Sequence, residues 1–565
     1  MRPQQIHIYS DRSSVVAIQY SRCCHAWKFV VPFVIPQYVS RDRVDVENCE
    51  VHFDGMSKLG QVFWIAGIIR VVVPTIYPQI VDTLAQTVEI LTPINSFDTL
   101  KEAFFYIRNG INLYDGDDIT IPPVYVALMQ LLNWPYVGSL LYNLLFTAID
   151  LWIAWRMVAI NRWYQKHQTR RLGKYAEVKG FNDDLIASFV LFNPLIILTC
   201  ISHLTLPVQV VLIVELIYQV CVGHSISRLA ITLGVASYIG FTPVYLAPSI
   251  FALAHALKLE EPARVYVHGI AILTTTIMLL ALISATMTGS TQFLTCYKSI
   301  IWGDKISPNT GLWWYLFTEM FEFFTPFYTA VFNIYHFIFI LPITIRLFEF
   351  AKVTEKDRMG VSRIAVDEKG NFVSIDPDGT VTPLNFGTEN AQKEEPQATT
   401  TELEALTTEA TLTRRTHEES KPATEVKKEA ASESDSEHYN GDSLLAVVLC
   451  FIWLSFSKLY PVIGDLGYGV SFLAIFKNTA LAHCLYLFPV GLTFVVCLLL
   501  SPIFYYCWIV LGNGNSNFFY SINLIWGVVH ALIMMDVIWG KLIFDYIVQH
   551  QLTEADKKDL QLTQL

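Results

Sequence analysis

Four polar stretches interrupt an otherwise apolar chain, and each carries residue types that could do chemistry. In "LYDGDDITIPPVYVAL", Asp115, Asp117 and Asp118 form an Asp-x-Asp arrangement. Hard oxygen ligands of this kind suit a divalent cation bridging a sugar-nucleotide diphosphate, although acids in a glycine-containing turn equally suit a helix entry. In "GLWWYLFTEMFEFFTPFY", Glu319 and Glu322 stand three apart. On a continuous helix both carboxylates share one face, either as an acid and base pair or as the wet side of an interfacial amphipathic helix. In "SFSKLYPVIGDLGYGVSF", Pro461, Gly464, Asp465 and Gly467 break an apolar run, so Asp465 either lines a polar cavity or caps a helix. In "GNGNSNFFYSINLIWG", Asn513, Asn515, Ser516 and Asn517 make an uncharged cluster that could read sugar hydroxyls or phosphate oxygens, or form a turn and a cap.

The elements that must position these residues are membrane helices. The chain is 53% hydrophobic and 16% charged, with a mean hydropathy of +0.41, which excludes an ordinary soluble domain and implies a polytopic, all-α membrane protein. Apolar runs fall near 61–78, 138–160, 183–202, 206–222, 227–240, 241–257, 264–286, 326–350, 443–461, 467–480, 483–510 and 518–545, about twelve crossings if short or tilted members are admitted. "WKFVVPFVIP", broken by two prolines and flanked by charge, is too short to span and lacks the small-residue cleavage site of a signal peptide, so 1–60 reads as an N-terminal extension.

Six Lys/Arg in "NRWYQKHQTRRLGKYAEVK" predict a cytoplasmic loop at 161–179. Alternation then puts the loop 79–137 and all four polar stretches on the lumenal side. It places the segment 353–442 and the tail 551–565 in the cytoplasm. That acidic segment holds 20 Asp/Glu against 10 Lys/Arg, accounting for nearly all of the net charge of -11, and its Thr/Glu/Ser/Ala composition predicts a disordered insert between a membrane bundle at 61–352 and a second at 443–550. No basic patch points to nucleic acid. The ten cysteines include no C-x-x-C pair, and no H-E-x-x-H, G-x-S-x-G or P-loop occurs. Neither a metal nor another cofactor is implied.

Three longer motifs, "SPNTGLWWYLFTEMFEFF", "FSKLYPVIGD" and "NGNSNFFYSI", occur in that order before a final hydrophobic span. Here the chain resembles the phosphatidylinositol-glycan class U family over roughly 61–350 and 443–550. That family is similar in turn to multi-span, lipid-dependent (GT-C-like) mannosyltransferases, whose first lumenal loop carries catalytic acids upstream of a Tyr and a helix entry. In this chain Thr92, Pro93, Ile94 and Asn95 occupy the acid slot, with Asp98 and Glu102 the nearest acids, while "LYDGDDITIPPVYVAL" answers to the later element. The resemblance implies a non-catalytic subunit of the glycosylphosphatidylinositol (GPI) transamidase in the endoplasmic reticulum membrane, with lumenal amphipathic helices. Such a subunit binds the GPI lipid beside a cysteine-protease-like catalytic partner. The candidate lipid-binding residues are Asn515, Ser516 and Asn517, with Asp465, Asn309 and Glu319 behind them. The rival readings are an active mannosyltransferase with a dolichol-phosphate-mannose donor and a lipid transporter or scramblase; no inverted repeat or matched pair of broken spans supports the latter.

Overall fold

The computed structural model describes residues 57–90, 92–116, 118–172, 179–257, 260–303, 305–348 and 441–549, together with three short strands between residues 363 and 383. Residues 1–56 of the N-terminal extension, Asp117, most of the acidic insert and the C-terminal tail lie outside the described residues.

Helix α1 (Lys58–Ile76) begins where the Ser57 hydroxyl accepts the Gly60 N–H at 3.3 Å. Three short helices fill the loop that follows: α2 (Gln79–Ala85), α3 (Phe97–Arg108) and α4 (Pro123–Gln130). Along α3, Phe97, Leu100, Ala103 and Phe104 are buried at helical spacing, with Asp98 in the first turn and Arg108 in the last, as the helix dipole favours. These side chains join one apolar cluster with Phe146, Cys200 and Phe293, so the loop is a packed layer and not a free strap.

The long α5 (Gly138–Leu172) ends in Arg170 and Arg171. Helices α6 (Asp183–Leu191) and α7 (Pro194–Ile201) are one apolar run bent by 53°. The cause is local: Pro194 cannot donate, and the Asn193 side chain accepts the Leu195 N–H at 3.0 Å to restart the helix. Then come α8 (Leu206–Cys221), α9 (Ile226–Gly240), α10 (Ala247–Ala256), α11 (Pro262–Thr288), α12 (Thr295–Trp302), α13 (Trp313–Glu319) and α14 (Thr325–Arg346). Past the insert lie α15 (Ser443–Ser457), α16 (Ile463–Leu473), α17 (Leu487–Ile509) and α18 (Ser516–Gln549).

Each of the twelve apolar runs falls on helix, but length separates them. Six helices, α1, α5, α11, α14 with its leading turn, α17 and α18, are long and apolar enough to cross a membrane, or seven if the bent pair α6–α7 counts as one span. Helices α8, α9 and α15, and α16 with its trailing turn, are apolar but shorter, between 10 and 17 residues. Every residue of α15 except Phe456 is buried, the pattern of a helix at the centre of a bundle. In contrast α11 and α17 turn large apolar side chains such as Met278, Leu282, Leu492 and Leu499 outward. The helix sets on either side of the insert share one core, in which Ile153, Val210, Leu445 and Phe472 belong to a single cluster.

An ion pair lies inside this core. Arg70 of α1 donates to Asp150 of α5 at 2.8 Å, and both side chains are fully buried. Tyr468 of α16 donates to the other Asp150 oxygen at 2.8 Å, and Arg70 also donates to the Leu191 carbonyl at 2.8 Å. That carbonyl is freed by the bend between α6 and α7, so the arginine satisfies a backbone group that the broken helix leaves exposed.

The neck of the insert is closed. The Asp442 N–H donates to the Leu347 carbonyl at 2.8 Å, and Arg171 donates to the Gly441 carbonyl at 3.1 Å. Within the insert, β1 (Arg363–Val366), β2 (Phe372–Ile375) and β3 (Val381–Pro383) pair antiparallel in the order β1-β2-β3. This part departs from the expected disorder because its composition differs: Val, Ile and Phe flank glycine-containing links, unlike the Thr/Glu-rich stretch downstream.

Candidate functional site

Stretches of chain far apart in sequence meet along the first turns of α18. They are the loop 305–312 ahead of α13, the link 458–462 between α15 and α16, and α18 itself, and two asparagines sew them together. Asn309 donates through Nδ2 to the Ser307 and Leu459 carbonyls at 3.0 and 3.1 Å, and its Oδ1 accepts the Gly311 N–H at 2.8 Å. Asn523 donates to the Asn309 and Gly311 carbonyls at 2.7 and 3.2 Å. Thr310 adds a bond to the Pro461 carbonyl at 3.2 Å. Loop carbonyls that would otherwise be buried without partners are thereby satisfied.

Above this junction stand the amides. Asn515 and Asn517 are exposed and Ser516 is half-buried, where the link 510–515 turns into α18. The Tyr315 hydroxyl, on α13, donates to Asn517 Oδ1, and the Tyr315 ring stacks on Tyr520 at 4.2 Å between centroids and 17° between planes. Trp314 is buried beside them against Trp508 and Phe519. Glu319 follows Tyr315 by one helical turn and is exposed. Ile509, Val510, Leu511, Phe518 and Leu316 are exposed apolar residues of the same segments. The cluster therefore combines uncharged donors and acceptors with exposed apolar surface, the composition needed to hold a polar head whose tails enter lipid.

The other expected residues fall elsewhere. Asn309 is fully buried and its side chain is committed to the junction. Asp465 is also buried: Lys458 donates to one oxygen at 2.7 Å and the Val462 N–H to the other at 3.0 Å, which is half of a capping box. The cavity it faces measures about 20 Å³, room for a water molecule and little else. Glu319 and Glu322 do not share a helix face, because α13 ends at Glu319 and Met320 and Phe321 are extended before a 3-10 turn at Glu322–Phe324. In the first loop, Asp115 and Asp118 are exposed, with Lys305 3.8 Å from Asp118. Asp98 pairs with Lys101 at 2.9 Å and Glu102 accepts from Tyr106 at 3.0 Å, both at the surface. Thr92 and Asn95 are buried instead, with Asn95 accepting from Thr205 at 2.8 Å.

Sequence reasoning passed over three residues of this region. Tyr315 and Asn523 lie inside the quoted motifs, where aromatic and amide residues were too many to rank. Glu89 sits in the apolar string "TVEILTP" and was hidden by it. It is buried under the junction, accepts from Ser501 of α17 at 2.6 Å, and its carbonyl takes the Ile463 N–H at 3.1 Å. Together with Thr310, Asn523 and Trp526 it lines a cavity of about 10 Å³. Burial holds its carboxyl above its ordinary value, against the opposing pull of the Ser501 bond.

Fold and site together define a helical membrane protein with an amphiphilic polar cluster at one end of its bundle. The chain belongs to the PIG-U family, described as GPI transamidase subunit PIG-U, which matches residues 64–354 and 437–526. It is 26% identical to the GPI transamidase component GAB1 of Saccharomyces cerevisiae, covering 85% of this chain and 93% of that protein. It is 22% identical to the GPI-anchor transamidase component PIGU of Homo sapiens, covering 83% and 90%. The GAB1 homolog of Schizosaccharomyces pombe, also a GPI transamidase component, is 23% identical over 83% and 90%.

Proposed function

We propose that this chain is a non-catalytic subunit of the GPI transamidase in the endoplasmic reticulum membrane, and that it presents the GPI lipid for attachment to the C-terminus of precursor proteins. Attachment joins a new carboxyl end of the precursor to the ethanolamine amine of the anchor, and a separate cysteine-protease-like subunit supplies the thiol. In this chain Asn515, Ser516 and Asn517, flanked by Tyr315 and Glu319, receive sugar hydroxyls and phosphate oxygens through neutral hydrogen bonds. Acyl chains leave across the exposed apolar residues Ile509, Val510 and Phe518. Asn309, Asn523 and Asp465 fix the loops from behind. The shorter helices complete about twelve crossings in a GT-C-like arrangement, with α3 lying along the lumenal face.

One observation carries the reading: the junction of Asn309, Leu459 and Asn523 brings the family's motifs together and leaves the amide cluster facing out among exposed apolar residues. Mannosyl transfer has less support, since the acids of the first loop are scattered at the surface and Glu89 is turned inward to Ser501. Replacing Asn515 and Asn517 with alanine should lower surface display of a GPI-anchored reporter while the complex still assembles; unchanged display would overturn the assignment. A lipid analysis of cells lacking the protein separates the rival. Accumulation of complete GPI with uncleaved precursors supports attachment, and an under-mannosylated intermediate supports glycosyl transfer.

A further inference from the structure

A crevice of about 410 Å³ opens on the flank of the bundle between the bent pair α6–α7, α16 and the first half of α17. Its walls are nearly all apolar, with Phe189, Phe192, Val470, Leu473, Gly491 and Val495 among them. The polar groups at the bend are already satisfied. Asn193 Nδ2 donates to the Gly467 carbonyl at 3.0 Å and to Ser471 at 3.2 Å, and Ser471 donates to the Phe189 carbonyl at 2.8 Å. Nothing on this wall calls for water, since a bound water needs two to four polar partners.

The same contacts run α6 and α16 antiparallel and so locate the two ends of the crevice. Gly467 and Asn193 mark the inner end; Leu473, Phe189 and Leu487 mark the other. One turn past Leu473, Lys477 lies over the Phe181 ring at 4.7 Å, and Phe181 packs on Phe189 at 5.2 Å. A cation therefore stands at the mouth of an apolar slot. The crevice follows Leu487–Leu498 of α17, whereas the amide cluster lies beyond Ile509, at least about 16 Å further along the helix.

We propose that this crevice is a second lipid site, taking one acyl chain of an anionic phospholipid whose phosphate meets Lys477. A volume of about 410 Å³ is that of a small-molecule pocket. A partner helix, about 10 Å across with its side chains, needs a longer and wider groove. In a bilayer, acyl chain fills such a slot, and a lysine near the surface selects for negative headgroups. The site is independent of the amide cluster and does not require the function proposed for it.

The test uses the full chain in its purified complex, in phosphatidylcholine nanodiscs doped with phosphatidylserine that carries a photoactivatable diazirine in its acyl chain. Labelling should concentrate on peptides holding Phe189 and Val495. Gly491 lines the crevice and an added Cβ there meets nothing within 4 Å, so Gly491→Phe puts bulk at the crevice wall with room for its Cβ. Labelling there should fall at least about fivefold, while labelling on the outward face of α11 is unchanged. Lys477→Gln should lower labelling by the phosphatidylserine probe about fivefold and leave a phosphatidylcholine probe unaffected. Even labelling over all outward helices, or Gly491→Phe without effect, overturns the proposal. So does a benzophenone placed at Val495 that crosslinks to a helix of another subunit.

Discussion

The acid-rich loop around Asp115 and the amide-rich link around Asn515 look alike in sequence: each is a short polar run with glycine, set before an apolar helix. In the fold they differ in what stands behind them. Asp115 and Asp118 sit at the surface, and Lys305 stands a loose 3.8 Å from Asp118. Asn517 is bonded to Tyr315, which stacks on Tyr520, above a junction where Asn309 and Asn523 hold elements 150 to 214 residues apart. Residue type nominates a site; convergence of separate segments on rigid support makes one.

The contrast can be broken most forcefully at Asn523. Asn523→Leu leaves the buried Asn309 and Gly311 carbonyls without their donor, so thermal unfolding of the purified complex should show a loss of about 2–3 kcal/mol. GPI attachment should fall with it. A change confined to the outer layer is milder: Tyr315→Phe keeps the stack on Tyr520 but releases Asn517. Attachment in cells should drop several-fold with a stability change under about 1 kcal/mol, read by reporter display and melting together.

Glu89 sharpens the comparison through pH. Its folded-state carboxyl titrates above the ordinary value because it is buried. The stability it contributes is therefore fully present below the unfolded carboxylate range and is lost as pH rises through the raised value. Glu89→Gln keeps an acceptor for Ser501 and removes the charge. The variant should match the parent below the unfolded carboxylate range and melt progressively higher than it as pH rises through the raised value; melting curves that stay parallel across pH would contradict this. The smallest effect belongs to the first loop, where Asp115→Asn and Asp118→Asn should change stability by less than about 0.5 kcal/mol and leave attachment intact.

What the sequence made legible follows the range of the forces involved. Apolar runs report burial in lipid directly, so all twelve fell on helix, but the bend at Asn193–Pro194 was not foreseen within the run 183–202, because apolarity is continuous across it. The count of full-length spans was not legible, because α8, α9, α15 and α16 are as apolar as the long helices but short, and apolarity alone does not report where a helix ends. The break after Glu319 was invisible for another reason: Met320 and Phe321 are sound helix residues, and no local turn or proline signal marks their extended backbone. Asp465 was legible as a cap, since half of a capping box is local; its bond to Lys458 needed the fold. Arg70 and Asp150, 80 residues apart, gave no sign in sequence of meeting.

The closed neck at Leu347 and Asp442 has a consequence for descent. The family match stops at 354 and resumes at 437, so the additional chain hangs from a point where its two ends already touch. For a loop tied off in this way, each doubling of length adds only about 0.6 kcal/mol of closure cost. Lineages can therefore lengthen, shorten or rewrite this stretch without displacing a helix, and drift in its sequence is shielded from selection on the bundle. The same neck is a natural port for grafting a tag or a cleavage site into the working protein.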